Sequence, residues 1–142
     1  MSMEYYAFVP QDALPTRAEW QEAITHLGFP ILLGSGLDPK AARGFCRMSV
    51  EGKNAGCEID AGLDNVAELA EAYPALDGKA LDGAVVISFR FGGDMLAGGC
   101  AFAAAAALVQ HHHAVFYDPQ EDAVIKDAGD LAATAREFLS QQ

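Results

Sequence analysis

The sequence predicts a single α+β domain, in which about four helices pack on a mostly antiparallel sheet of about five to seven strands. The chain has 142 residues, 51% hydrophobic and 20% charged, which supplies one core and is too weakly charged for a disordered protein. Helical and strand-like segments alternate without a linker, so residues 1–142 form one unit. Two predicted hairpins favour antiparallel pairing over a regular doubly wound fold.

The first third of the chain predicts a strand, a helix and a second strand. Tyr5–Val9 is aromatic and β-branched, which is typical of a strand. Thr16 and Glu19 have the spacing of a capping box that starts a helix, and Gly28 ends it. Phe29–Leu33 follows as the second strand. The apolar residues of the helix recur at helical spacing: Trp20, Ile24 and Leu27.

A β-hairpin is predicted next. Phe45–Val50 and Ala55–Asp60 read as its strands, and residues 51–54 as its turn. Placing Val50 opposite Ala55 would put the apolar residues of both strands on one face of the sheet.

The same register makes two further predictions. Arg47 should lie opposite Glu58 on the polar face. Cys46 and Cys57 should lie on the apolar face, and Cys100 falls in an apolar helix. Since the chain has three cysteines, an odd number and a low density, we expect reduced thiols that act as small buried hydrophobes.

The middle of the chain predicts a helix, a buried strand and a buried helix. Asn65–Ala72 has a polar N-cap and helical spacing. Ala84–Phe91 contains an unbroken apolar run, which favours a central strand buried on both faces. Asp94 is a plausible N-cap for the Ala-rich segment from Met95 to about Gln110, which is apolar all round and should be buried.

The end of the chain predicts a hairpin and a helix. Ala114–Tyr117 and Ala123–Lys126 flank Asp118-Pro119-Gln120-Glu121, where proline at the second position favours a turn. Leu131–Leu139 is an amphipathic helix. The strand Ala84–Phe91, the Ala-rich helix and Ala114–Tyr117 could together form a parallel β-α-β crossover.

The charge excludes some classes of partner. Nine Lys and Arg against twenty Asp and Glu give a formal net charge of −11, which argues against sequence-independent binding to nucleic acid or anionic lipid. Residues 1–13 lack the pattern of a secretory signal, and the most apolar stretch, Met95–Val109, is shorter than the roughly 20 residues needed to span a membrane. We therefore expect a cytoplasmic protein without a membrane partner.

Three kinds of motif are candidates for catalysis, metal binding or cofactor binding. His111–His113 are adjacent, point in different directions and suit the end of the Ala-rich helix better than a closed metal site. Phe91–Asp94 lacks the pattern of a P-loop or dinucleotide fold and favours a tight turn capped by Asp94. Cys100 with His26, or Ser35 with any histidine, lacks the features of an activated nucleophile. The sequence thus indicates no catalytic residue, metal or cofactor.

Negative charge is concentrated after residue 53. Residues 1–53 carry a net charge of −1, whereas residues 54–142 carry −10. The acidic residues there form two groups, either solvated surface or a docking site for a basic partner. The first group is Glu58, Asp60, Asp64, Glu68 and Glu71, and the second is Asp118, Glu121, Asp122, Asp127 and Asp130.

From Ala84 onward, the chain also resembles a functional group of proteins. The block AVVISFRFGGDM, the Ala-rich helix, AVFYDPQEDAV and a short terminal helix resemble small acidic immunity proteins of bacterial polymorphic-toxin and type VI secretion systems. The resemblance implies a cytoplasmic, non-catalytic protein that binds one cognate toxin. A basic surface of the toxin would contact the residues that we predict to bind the partner: Asp118, Glu121, Asp122, Glu58, Asp60 and Asp64.

Two alternatives remain open on the sequence. A small enzyme or ligand-binding domain would have a cavity near Arg90 and Asp94, where these side chains converge with a histidine. A homo-oligomeric protein would hide the smooth Ala-rich helix in a subunit interface.

Overall fold

The computed structural model describes residues 2–141, and that part of the chain has the predicted α+β architecture. Seven strands and four α-helices follow one another with these bounds: β1 (Met3–Val9), α1 (Arg17–His26), β2 (Ile31–Leu33), β3 (Phe45–Val50), β4 (Lys53–Ala61), α2 (Val66–Ala72), β5 (Val85–Phe91), α3 (Met95–His111), β6 (Val115–Asp118), β7 (Ala123–Ile125) and α4 (Ala128–Ser140).

The strands form one sheet in the order β2-β3-β4-β5-β1-β6-β7, and every neighbouring pair is antiparallel. The strand β5 is central, as its apolar sequence predicts. Because β5 and β6 both run antiparallel to β1, they are parallel to each other, and α3 connects them across β1. The predicted crossover is therefore present, with one strand between its two ends.

The main core lies between one face of the sheet, here called the inner face, and the helices α1, α3 and α4. Residues 97–109 of α3 are all buried, and the indole of Trp20 donates a hydrogen bond to the carbonyl of Ala104 at 3.0 Å. A Cβ atom at Gly99 would lie 2.6 Å from Leu139 Cδ2, so glycine allows α4 to pack closely on α3. This chain itself covers α3, which removes the basis for hiding that helix in a subunit interface.

The opposite face of the sheet, here called the outer face, is only partly covered. The helix α2 and the segment that follows it pack over β5, β1 and β6 and enclose a second, smaller core. Its buried members are Tyr6, Phe8, Leu69, Leu76, Val86 and Tyr117. Residues of the outer face on β2 and β3 remain open, and Leu32 and Phe45 are 62% and 63% exposed.

The predicted helix starts are confirmed by hydrogen bonds. The Thr16 hydroxyl accepts from the Glu19 N–H at 3.1 Å, and the Glu19 carboxylate accepts from the Thr16 N–H at 2.9 Å. The Asp94 carboxylate accepts from the first turn of α3, at 3.0 Å from the Leu96 nitrogen. Within residues 2–141, no helix combines the length and apolarity required to cross a membrane.

The predicted register of the β3–β4 hairpin is wrong by two residues. Val50 pairs with Lys53 instead of Ala55, because the turn contains two residues instead of four. Glu51 and Gly52 have φ angles of 51° and 83°, as a type I′ turn requires at both positions. Glutamate rarely adopts a positive φ, so the sequence gives no warning of this turn.

The register shift changes partners but preserves faces. Arg47 lies opposite Gly56, and the predicted Arg47–Glu58 pair does not form. Since a shift of two residues keeps the alternation of the strand, Cys46 and Cys57 face the inner side as predicted. Glu58 instead lies between Phe45 of β3 and Arg90 of β5.

Candidate functional site

Carboxylates from four parts of the chain meet on the outer face. Across three neighbouring strands, Glu58 lies opposite Arg90, and Arg90 lies opposite Glu4. Arg90 Nη2 is 3.0 Å from Glu4 Oε2. In the next row of outer-face residues across β4 and β5, Asp60 lies opposite Ser88. Glu58 and Asp60 of the first predicted acidic group thus share a face with Glu4, which was not among the predicted residues.

The β6–β7 hairpin brings part of the second acidic group to the same place. The Tyr117 hydroxyl, on the outer face, donates to Asp122 at 2.5 Å. Gln120 Nε2 donates to the Glu4 carbonyl at 3.4 Å, which places the hairpin beside the start of β1. We call Glu4, Glu58, Asp60, Asp64 and Asp122 the acidic face.

Two predicted residues lie around the end of the sheet instead. Asp118 and Glu121 face Tyr5 on the inner side; burial, followed by these two carboxylates, raises the pKa of the Tyr5 hydroxyl to about 12. The Asp118 carboxylate also accepts hydrogen bonds from the backbone of Gln120 and Glu121 at 2.9 Å and 3.3 Å. Asp118 therefore supports the turn, and Glu121 extends from its tip.

The carboxylates of the acidic face do not share equal surroundings. Asp60 accepts a hydrogen bond from the Gly44 N–H at 3.0 Å and so holds the segment before β3. Burial raises the pKa of Asp64, and the nearby charges of Glu4 and Asp60 raise it further. The folded chain thus holds Asp64 where ionisation is less favourable than in water.

A cavity of about 920 Å³ adjoins the acidic face and is here called the cleft. It opens between the first residues of β4 and the junction of β5 with α3, and Arg90 and Asp94 both line it. The predicted cavity near these two residues is therefore present. None of the four histidines, all of which lie in the described part of the chain, lines it.

Arg90 and Asp94 have separate partners. Arg90 pairs with Glu4, and the Asp94 carboxylate is directed to the N-terminus of α3. Three arginines line the cleft, namely Arg17, Arg47 and Arg90. Arg17 is fixed there because its Nε and Nη2 atoms donate to the carbonyls of Gly34 and Leu33, at 2.6 Å and 2.9 Å.

The histidines lie together at the other end of α3. His26 Nδ1 is 3.2 Å from His111 Nε2, and His112 Nδ1 is 3.1 Å from the Ala13 carbonyl oxygen. Across residues 2–141, no group of three or more His, Cys, Asp or Glu side chains is arranged to hold a metal ion.

The three cysteines are free, and Cys57 and Cys100 are buried. Burial raises the pKa of Cys100 to about 11 and that of Cys57 well above its ordinary value. These thiols are consequently protonated at neutral pH and are poor nucleophiles. His26 contacts His111, about 16 Å along α3 from Cys100, so the two do not form a pair.

Comparisons with protein-family models, curated proteins and solved structures find no significant match to this chain.

Proposed function

We propose that the protein is a non-catalytic cytoplasmic binding protein of the immunity type, which neutralises a cognate bacterial toxin. Its acidic face would contact a basic surface of the toxin. One observation carries the proposal: acidic residues far apart in sequence converge on the incompletely covered face of one sheet. Chain folding brings Glu58, Asp60 and Asp64 beside Glu4, and it places Asp122 on the same face at the β6–β7 hairpin next to β1.

The surroundings of the acidic face support binding to a cationic surface. Arg90 is paired with Glu4, yet the carboxylates around it outnumber it. The raised pKa of Asp64, caused by burial and then by Glu4 and Asp60, reflects an unfavourable interaction in the free protein. A basic surface on the partner would offset the repulsion of Asp64 by Glu4 and Asp60. Opposite charges would also accelerate association and help to select the correct partner.

A triple variant that preserves shape tests the proposal. Glu58→Gln, Asp64→Asn and Asp122→Asn remove three negative charges, and the amides still accept hydrogen bonds. The matched control, Asp12→Asn, Glu22→Gln and Glu137→Gln, removes three charges from exposed positions on or before the helices. Both proteins and the wild type are used to capture partners from a lysate of the native organism, and the bound proteins are identified by mass spectrometry.

The proposal predicts a single stoichiometric partner with a basic domain that is toxic when expressed alone and harmless when co-expressed with the wild type. The acidic-face variant should lose at least about tenfold in affinity, or about 1.4 kcal/mol, whereas the control should retain it. Equal capture by both variants would overturn the role of the acidic face. A partner without toxicity would overturn the immunity function.

A second candidate function is ligand binding in the cleft. It is favoured by the cavity of about 920 Å³ beside Arg90, a volume within the usual range for ligand sites. The exposed residues Leu32, Phe45 and Arg47 line part of it. The residues that line the cleft indicate which kind of ligand it would bind.

A further inference from the structure

The cleft forms where β4 and β5 separate. Their pairing ends with Glu58 opposite Arg90, and β5 ends at Phe91 before the chain turns into α3. The first part of β4, from Lys53 to Cys57, still pairs with β3 on its other side. This part of β4 therefore extends past the end of β5 and forms one wall of the cleft.

The wall presents a free strand edge. The Ile59 N–H donates towards β3, to Gly44 at 2.9 Å, whereas the Gly62 N–H donates towards β5, to Val86 at 2.9 Å. Backbone groups alternate along a strand, so both backbone groups of Asn54 and the carbonyl of Gly56 are directed into the cleft. The Gly56 N–H faces the Cys100 thiol instead. Asn54 and Gly56 pair with β3 on one side, and on the other side the described residues of β5 do not reach them.

The charge of the cleft is opposite to that of the whole chain. Three of the five arginines line it, against the two carboxylates of Glu58 and Asp94. The Asp94 carboxylate caps α3. The Arg47 carbonyl accepts from the Gly34 N–H at 2.9 Å, but its exposed side chain forms no hydrogen bond or ion pair with any described residue. Its guanidinium is thus available to a carboxylate from outside.

One exposed apolar side chain adjoins the free edge. Phe45 lines the cleft and is 63% exposed, whereas Leu32 lines the cleft from β2, on the far side of β3. A Cβ atom at Gly56 would lie 3.0 Å from the Phe45 ring, so the ring packs directly on this glycine. The cleft therefore combines backbone hydrogen-bonding groups, an apolar surface and an unpaired cation.

We infer that the cleft binds an extended peptide segment of a partner protein that carries an acidic side chain. The segment adds a short strand to the free edge of β4 through Asn54 and Gly56. An apolar side chain of the segment contacts Phe45, and its carboxylate pairs with Arg47. Strand addition of this kind combines backbone hydrogen bonds with side-chain selectivity. The inference rests on the second candidate function and gives no role to Glu58, which belongs to the acidic face and also lines the cleft.

A random heptapeptide display library, selected on the full-length protein, tests this inference. We expect enriched peptides to contain Asp or Glu among apolar residues. Arg47→Glu should weaken their binding at least about tenfold, whereas Lys79→Glu, the same charge change outside the cleft, should leave it unchanged. Both substituted residues are exposed, and thermal melts check that both variants fold.

N-methylation of each residue of one enriched peptide tests strand addition. Loss of binding at alternate positions, with amide NMR shifts at Asn54 and Gly56, is expected. Failure of the library to enrich any peptide would overturn the inference but not the second candidate function, because a peptide library does not contain small-molecule ligands. Enriched peptides without acidic residues, or equal binding to Arg47→Glu, would overturn the inference alone. The inference alone would also be overturned if succinate displaced the peptide and the peptide caused no amide NMR shift at Asn54. That result would indicate a site for small carboxylates.

Discussion

Asp64 shows at the scale of one residue how the acidic face affects stability. Burial, then Glu4 and Asp60, raise its pKa in the folded protein. Folding therefore favours its protonated form, so this contribution to stability is full below the unfolded pKa and is lost as pH rises through the folded pKa. Since asparagine resembles the protonated acid, Asp64→Asn should stabilise the protein at pH 7 by less than about 1 kcal/mol.

Urea unfolding at pH 7 and pH 3 measures this difference. At pH 3 the wild-type carboxyl is largely protonated, so the two proteins should have similar free energies of unfolding. A variant that is less stable than the wild type at pH 7 would contradict the proposed repulsion among the carboxylates.

Val86 tests the second core. It is 1% exposed and packs under the α2 segment with Phe8 and Tyr117. Val86→Ala should reduce the free energy of unfolding by about 2 kcal/mol, because it removes buried methyl groups and leaves a cavity. Val124→Ala, the same substitution at a 38% exposed site, should change it by less than about 0.5 kcal/mol. Equal decreases in the free energy of unfolding, measured by denaturant melts, would show that packing of the α2 segment on the outer face contributes little to stability.

Single residues also explain where sequence reasoning succeeded. Thr16 with Glu19, and Asp94, make local hydrogen bonds to nearby backbone, and such contacts are readable from spacing alone. Glu51 has a φ of 51°, which nothing in its side chain favours. A single unexpected turn residue was enough to shift every pair of the β3–β4 hairpin.

At the scale of an element, α3 tests how closely the helical layer is packed. Ala105 is fully buried, and its small side chain suits the close approach of the sheet and neighbouring helices. Ala105→Leu should cost about 1–3 kcal/mol by overpacking. Ala18→Leu, at an exposed position of α1, should be nearly neutral. Thermal and urea melts compare the two, and a neutral Ala105→Leu would mean that α3 has free space around it.

Every predicted element exists in the structure, because each has a local sequence pattern of its own. Strand β5 is read from its apolar run, and α3 from its alanines. The position of β1 between β5 and β6 was not predictable in the same way. No local pattern records which strand enters the gap of a crossover, since that choice depends on packing between distant segments.

At the scale of the whole molecule, this strand order creates the candidate site. Because β1 lies between β5 and β6, it brings Glu4 beside Arg90 on one side and beside the β6–β7 hairpin on the other. The sequence indicated both acidic groups but did not show that they meet. It also placed Asp118 and Glu121 with Asp122, whereas the turn divides them between the two sides of the sheet.

The cleft has a similar origin. Its predicted residues, Arg90 and Asp94, are only four positions apart in the chain and could be selected from the strand-to-helix junction. Arg17 and Arg47 reach the cleft from α1 and β3, and only the tertiary structure brings them there. The charge of the molecule is therefore divided between an acidic face and a neighbouring arginine-lined cleft.

The most direct test of the account is the association rate of the protein with its captured partner, measured between about 20 mM and 500 mM salt. We expect the association rate to decrease steeply with salt for the wild type and for the Asp12, Glu22 and Glu137 control variant. Salt screens the attraction between opposite charges that accelerates association. The Glu58, Asp64 and Asp122 variant should associate more slowly and show a shallower salt dependence. Identical rates and salt dependences for all three proteins would contradict recognition through the acidic face.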